Sequence, residues 1–281
     1  MRSVADVLQA VKSGKLSLNK AENLLKLDAI AIVGKVARLD SNRYLRRGVP
    51  EIVYAQGKNP QQLFSIVSKL VSRSSDDLPI ILSRVKHDQI KTIELAVRRS
   101  GKQRTKFVMK HYTNSNLVAI VKNKSSSLKS NGRVALLAAG TSDMPALNEA
   151  EVLLNLFGCR TIRFNDVGVS ALHRLVKPLE RIVNFDPDAI IVAAGMEGAL
   201  PSVIAGLSSV PVIGLPTSVG YGYGENGEAA LMNMLQACPL GISVVNIDAG
   251  IAAGVVAWLI SKRKQNTKSL NARHDPRQAD L

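Results

Sequence analysis

Arg133-Val-Ala-Leu-Leu-Ala-Ala-Gly140, followed at once by Thr141-Ser142-Asp143, decides how this chain folds. An apolar run that stops at a polar turn reads as a buried strand opening into a helix. The same rhythm then repeats. Strands are expected over 134–139, 160–165, 189–194, 211–215 and 242–247, and helices over 146–157, 171–183, 198–207, 227–237 and 249–260. The strand segments are continuously apolar, as in Ala189-Ile-Ile-Val-Ala-Ala194. Such runs belong to a sheet covered on both faces, so the strands run parallel with helical crossovers. The expected fold class is α/β, a doubly wound parallel sheet over 133–260. In such sheets ligands bind beyond the carboxyl ends of the strands.

Upstream the pattern changes. Val4, Val7, Leu8 and Val11 make a short amphipathic helix, and Ser17 to Ala21 opens a second with Leu24, Leu25 and Leu27 apolar. Residues 30–40 and 49–55 look extended. Asn59-Pro60 is an N-cap followed by proline at the first helical position, and Leu63, Ile66, Val67, Leu70 and Val71 form the stripe behind it. A strand over 78–83, a helix over 88–98 and extended runs over 105–110 and 117–122 complete a small α+β domain, 1–123. Residues 124–132 are a polar linker. Past residue 260 the composition turns basic and polar, and 261–281 reads as a disordered tail.

Of the net +15, residues 1–130 carry +16, residues 131–260 carry −5 and residues 261–281 carry +4. A basic half joined to an acidic half suggests two units with different partners. The N-terminus lacks the apolar core of a signal peptide, and no apolar run approaches the roughly 20 residues of a membrane span. A cytoplasmic protein is expected. Two cysteines, Cys159 and Cys238, do not suggest a disulfide framework.

The groups able to do chemistry cluster after strand ends. After the first strand, Ser142 and Asp143 either cap the next helix or share its free N–H groups with an anion. His173-Arg174 follows the second strand and offers positive charge. After the third, Glu197 sits between Gly195 and Gly198 as a candidate base or cation-binding group, or as an N-cap-like acid favoured by the helix dipole. After the fourth come Thr217, Ser218 and a literal G-x-G-x-x-G (Gly222, Gly224, Gly227) with Asp248 21 residues on. Those glycines start well past the strand and in the fourth unit, so they read as a glycine-rich lid rather than a dinucleotide fingerprint. Cys238 precedes the last strand, which puts it at the opposite end of the sheet. Cys159 reads as packing.

These stretches together resemble a known family. Gly140-Thr-Ser-Asp143, Phe157-Gly-Cys159, Ala171-Leu-His-Arg174, Leu200-Pro201, Pro211-Val-Ile-Gly-Leu-Pro216 and Pro239-Leu-Gly241 are similar to the purine-pathway carboxylases acting on aminoimidazole ribonucleotide. Two features depart from them. Gly195-Met-Glu-Gly-Ala199 stands where those enzymes have a Gly-Gly-Ala-Ala-His, and Cys238 stands where they usually have Met. Both departures are features of LarB, a family in nickel-pincer nucleotide cofactor biosynthesis. Ala194 to Val203, Pro216 to Gly222, Val245 to Asp248, and upstream Leu39-Asp40, Arg46 to Val53 and Gly57-Lys58 resemble it closely.

The resemblance implies a flavodoxin-like three-layer C-terminal domain and an enzyme with two activities. It would carboxylate carbon 5 of the pyridinium ring of nicotinic acid adenine dinucleotide. It would also hydrolyse the phosphoanhydride, giving pyridinium-3,5-biscarboxylic acid mononucleotide and AMP. The alternative is a purine-type aminoimidazole ribonucleotide carboxylase or mutase. The resemblance assigns catalysis to Cys238 and Glu197, and substrate binding to Ser142, Asp143, His173 and Arg174, with Thr217 and Ser218 as phosphate candidates. It further implies carbon dioxide or bicarbonate as co-substrate, magnesium (Mg2+) without a tightly bound cofactor, and a homo-oligomer, an octamer. The metal's ligands are unassigned, Arg46, Arg47 and Lys58 are unranked phosphate contacts, and neither a membrane nor nucleic acid is an expected partner.

Overall fold

The computed structural model describes residues 4–25, 30–34, 36–40, 43–73, 78–100, 107–122 and 130–273. The chain divides into two compact units, Met1–Ser126 and Ser127–Leu281. Most of the expected linker, together with residues 105–106, Leu27 and the last eight residues, lies outside the described residues.

The first unit begins with α1 (Val4–Lys12) and α2 (Leu18–Leu25). An antiparallel pair follows, β1 (Ile30–Val33) with β2 (Ala37–Asp40). After it comes a short helix the sequence did not announce, α3 (Arg43–Arg47). The four-stranded sheet is built from β3 (Ile52–Tyr54), β4 (Ile80–Ser83), β5 (Phe107–Tyr112) and β6 (Leu117–Lys122), in the order β3-β4-β6-β5. Between β3 and β4, which run parallel, the chain crosses over through α4 (Pro60–Arg73), and α5 (His87–Arg99) follows β4. Asn59 caps α4 as its sequence suggests: its Oδ1 accepts from the Gln62 N–H at 2.9 Å, while Gln62 Oε1 accepts from the Asn59 N–H at 3.0 Å. Leu63, Ile66 and Val67 of α4 pack with Ile93 and Ala96 of α5 against Leu82 and Ile120 of the sheet.

In the second unit, β7 (Arg133–Ala138), β8 (Arg160–Phe164), β9 (Ala189–Ala194), β10 (Val212–Pro216) and β11 (Ile242–Val244) are all parallel. Their order is β8-β7-β9-β10-β11. This is the flavodoxin-like order, and it reverses direction between β7 and β9. Every residue of β9 is buried, because it has neighbours on both edges and helices on both faces. One face packs against α7 (Val176–Phe185), α8 (Leu200–Leu207) and α9 (Glu228–Leu235) through Ile182, Leu200, Ile204, Ala230 and Met234. Two long helices, α6 (Met144–Leu156) and α10 (Gly250–Arg273), pack on each other and on the sheet, with the Phe157 and Trp258 rings 5.3 Å apart.

Three expectations are corrected. The helix expected over 171–183 is a 3-10 segment, Val169–Leu175, and then α7. Pro178 allows a helix to start just ahead of it but would break one running through it, and Ala171 is non-helical. The strand expected to reach residue 247 stops at Val244, and Asp248 adopts a left-handed φ of 54°. The tail expected from residue 261 continues α10 to Arg273. Its Lys and Arg residues are good helix formers. The fully buried Ser261 and an ion pair from Lys264 Nζ to Asp188 Oδ1 at 3.0 Å hold its start to the domain.

Candidate active site

The carboxyl ends of β7, β9 and β10 are tied into one structure by Asp143. This residue lies in the short 3-10 turn after β7 and is only 4% exposed. Its Oδ2 accepts from the Gly140 N–H at 2.8 Å, and its Oδ1 accepts from the Thr217 hydroxyl at 2.5 Å. The Gly195 N–H, at the end of β9, also donates to this carboxylate. The bond from Gly195 crosses the point where the strand order reverses. Burial pushes the Asp143 carboxyl above the usual carboxylate range; the three donors pull it down, and Asp248 pushes it up again.

Thr217 is 1% exposed. The resemblance gives Asp143 and Thr217 to substrate binding; in the structure their side chains are buried and bonded to each other, and they hold the turns that face outward. Asp248 does similar work one strand further on: its Oδ1 accepts from the Ser218 N–H at 2.9 Å, and its own N–H donates to Pro216 O at 2.8 Å.

The turn after β9 presents Glu197. A Cβ on Gly195 would lie 2.2 Å from Val219 O, so only glycine fits where the loops after β9 and β10 cross. Met196 follows with φ 49° and donates its N–H to Val219 O at 2.7 Å. Asn233 of α9 donates to the Glu197 carbonyl at 2.5 Å. The backbone is thus fixed on both sides while the Glu197 side chain stands in solvent. Ser142 and Ser218 are exposed on the flanking turns.

His173 and Arg174 are exposed beyond β8. Their segment is stitched to the end of β7 by the Val167 N–H donating to Ala138 O at 3.2 Å. Arg174 Nη1 donates to Asp166 Oδ2 at 3.0 Å. Cys238 lies elsewhere. It precedes Gly241, whose carbonyl accepts from Val212 at the start of β10, so it sits at the amino-terminal edge of the sheet, as its spacing indicated. It is exposed, flanked by exposed Leu235 and Leu240. Cys159 is the buried thiol, pushed up to about 11, chiefly by burial.

In the first unit Arg46 Nη2 reaches both Asp40 oxygens at 2.6 Å, so its charge is held within the fold. Lys58 donates to Tyr54 O at 2.5 Å, and Arg47 is exposed.

Among the described residues no three His, Cys, Asp or Glu side chains come together to hold a metal. Both oxygens of Asp143 already serve protein donors. Among the described residues no helix is long and apolar enough to cross a membrane.

Comparison with known proteins matches residues 133–279 to the AIR carboxylase family model. Residues 31–121 match the model of the LarB/PurE-like N-terminal domain. The chain belongs to the LarB family. An uncharacterized protein of Methanocaldococcus jannaschii is 37% identical over 268 residues, 93% of this chain and 98% of the relative. Two N5-carboxyaminoimidazole ribonucleotide mutases match 44% of the chain. That of M. jannaschii is 31% identical and covered over 75% of its length; that of Thermotoga maritima is 29% identical and covered over 72%. The LarB architecture and the AIR carboxylase domain mark the chain as an enzyme of carboxylase or mutase type.

Proposed function

We propose that this LarB-family chain carboxylates carbon 5 of the pyridinium ring of nicotinic acid adenine dinucleotide and hydrolyses its phosphoanhydride. The products are pyridinium-3,5-biscarboxylic acid mononucleotide and AMP, destined for the nickel-pincer cofactor. The observation that carries this reading is a pair of exposed side chains, Glu197 on the fixed turn after β9 and the thiol of Cys238. They stand at the two positions where the chain leaves the purine pattern.

The chemistry requires such a pair. A pyridinium ring is electron-poor, so its carbon 5 does not attack carbon dioxide. Addition of the Cys238 thiolate at carbon 4 uses the sulfur's electron pair to form the C–S bond and leaves a neutral dihydropyridine. This is an enamine, nucleophilic at carbon 5. Carbon 5 then bonds to carbon dioxide. A base removes the proton from carbon 5, the C–S bond breaks and the ring returns to its aromatic cation. Glu197 is the base, and water cleaves the phosphoanhydride.

Within one copy the Cys238 edge and the Glu197 turn are at opposite ends of the parallel sheet. On this reading the thiol reaches the ring from another copy in a homo-oligomer. The exposed Met232, Leu235 and Leu240 around Cys238 provide an apolar surface for that contact.

The test is mass spectrometry of the full chain with nicotinic acid adenine dinucleotide, bicarbonate and magnesium, beside Cys238→Ala. A carboxylated mononucleotide plus AMP from the wild type alone supports the proposal. Carboxylation of aminoimidazole ribonucleotide by both proteins, with the dinucleotide untouched, replaces it with the purine reaction.

A further inference from the structure

Residues 182–261, a stretch of 80, contain no lysine, arginine or histidine, yet they carry Asp186, Asp188, Glu197, Glu225, Glu228 and Asp248. All three loops that follow β9, β10 and β11 come from this stretch. An enzyme for an anionic dinucleotide would be expected to place cations there, and this one has none in those loops. What they offer instead is aromatic. Tyr221 is 78% exposed and Tyr223 is 107% exposed, the latter as free of contacts as a side chain can be.

The loop bearing these rings is anchored at the site. It leaves from Thr217 and Ser218, and Val219 O accepts from the Met196 N–H next to Glu197. It returns at Gly227, where a Cβ would lie 2.5 Å from Thr217 O. Residues 218–227 thus rise from and return to the Asp143–Thr217 bond and lie beside the Glu197 turn.

Two phenol rings held in water on a loop that also carries Glu225, with no basic residue in the loops after β9, β10 and β11, suit one ligand chemistry. The negative face of an aromatic ring attracts a delocalised cation, and carboxylates reinforce the attraction. We infer that Tyr221 and Tyr223 are specificity-determining residues that receive the positively charged pyridinium ring, selecting it over neutral rings of the same shape. The inference rests on the proposed pyridinium substrate and goes beyond it. It divides the dinucleotide, sending the cationic ring to the loops after β9 and β10. The diphosphate goes to basic groups outside residues 182–261.

The experiment compares nicotinamide mononucleotide with its 1,4-dihydro form, which differ in ring charge at the same substituents. Calorimetry on the full-length wild type is expected to show about tenfold tighter binding of the oxidised form, the size of a well-formed cation–π contact. In the Tyr221→Leu, Tyr223→Leu double variant that preference falls towards one, while AMP binding is unchanged. The Phe double variant keeps it. Both residues are exposed, so the variants keep the fold. Oxidised-form preference that survives the Leu substitutions, or no preference in the wild type, overturns the inference and leaves the proposed function standing. Failure of the wild type to bind either mononucleotide or nicotinic acid adenine dinucleotide overturns both.

Discussion

Asp143 is where a single carboxylate does most of the structural work. Its partners come from positions 140, 195 and 217, so replacing one of them should be felt by the others. Thr217→Val removes the hydroxyl that pulls the Asp143 carboxyl down. We expect a loss of about 1–3 kcal/mol in urea unfolding and a further rise of that carboxyl's pKa. The folded pKa already lies above the unfolded value of about 3.9. The folded protein therefore holds this proton more tightly than the unfolded chain does. Relative to Asp143→Asn, wild-type stability should be greatest in acid, below the unfolded pKa, and should decline as pH rises through the folded one. Unfolding at a series of pH values checks the sign. The two thiols give a second contrast. Iodoacetamide at neutral pH should alkylate exposed Cys238 in the native protein and leave Cys159, buried with its pKa at about 11, until the chain unfolds. The sequence presented Asp143 either as a helix cap or as an anion site. It could not show that the carboxylate bonds a threonine 74 positions away, because no local pattern encodes a partner that only the sheet order supplies.

Among the elements, strands were legible because full burial leaves a continuous apolar run, and β9 is buried at every position. Ends were less legible. The start of α7 is set by Pro178, whose cost depends on where in the helix it falls. The end of α10 is hidden in the sequence because a basic, polar composition suits a disordered tail and a helix equally, and Lys and Arg extend a helix readily once its first turns are packed. The turn after β9 depends on glycine. Gly195→Ala places a methyl 2.2 Å from a backbone oxygen, and we expect a loss of about 3 kcal/mol or more. Gly206, exposed in α8, has nothing within 4 Å of its would-be Cβ, so Gly206→Ala should stabilise by about 0.5–1 kcal/mol. Denaturation midpoints of the two variants, moving in opposite directions, would separate close approach from simple helix propensity.

At the scale of the whole molecule, the charge division between the units was plain in the sequence, and so was the parallel α/β plan. The separation of Cys238 from the strand-end site was visible as spacing, but how the two meet is a matter of assembly. If the thiol and Glu197 of one reaction come from different copies, Cys238→Ala and Glu197→Gln are each inactive alone. Co-refolded mixtures then regain a measurable fraction of wild-type turnover in the coupled carboxylation assay. Mixtures that stay inactive would require the two groups to meet within one copy. The bond between Thr217 and Asp143 also carries a statement about time. It joins the fourth strand-end of its unit to the first, across 74 residues, and cannot form until β7, β9 and β10 lie side by side. Closing so long a loop is a late and slow event. A refolding chain should therefore regain its helical circular dichroism before its strand-end turns are joined, and in that interval it would be folded in outline yet without a finished site.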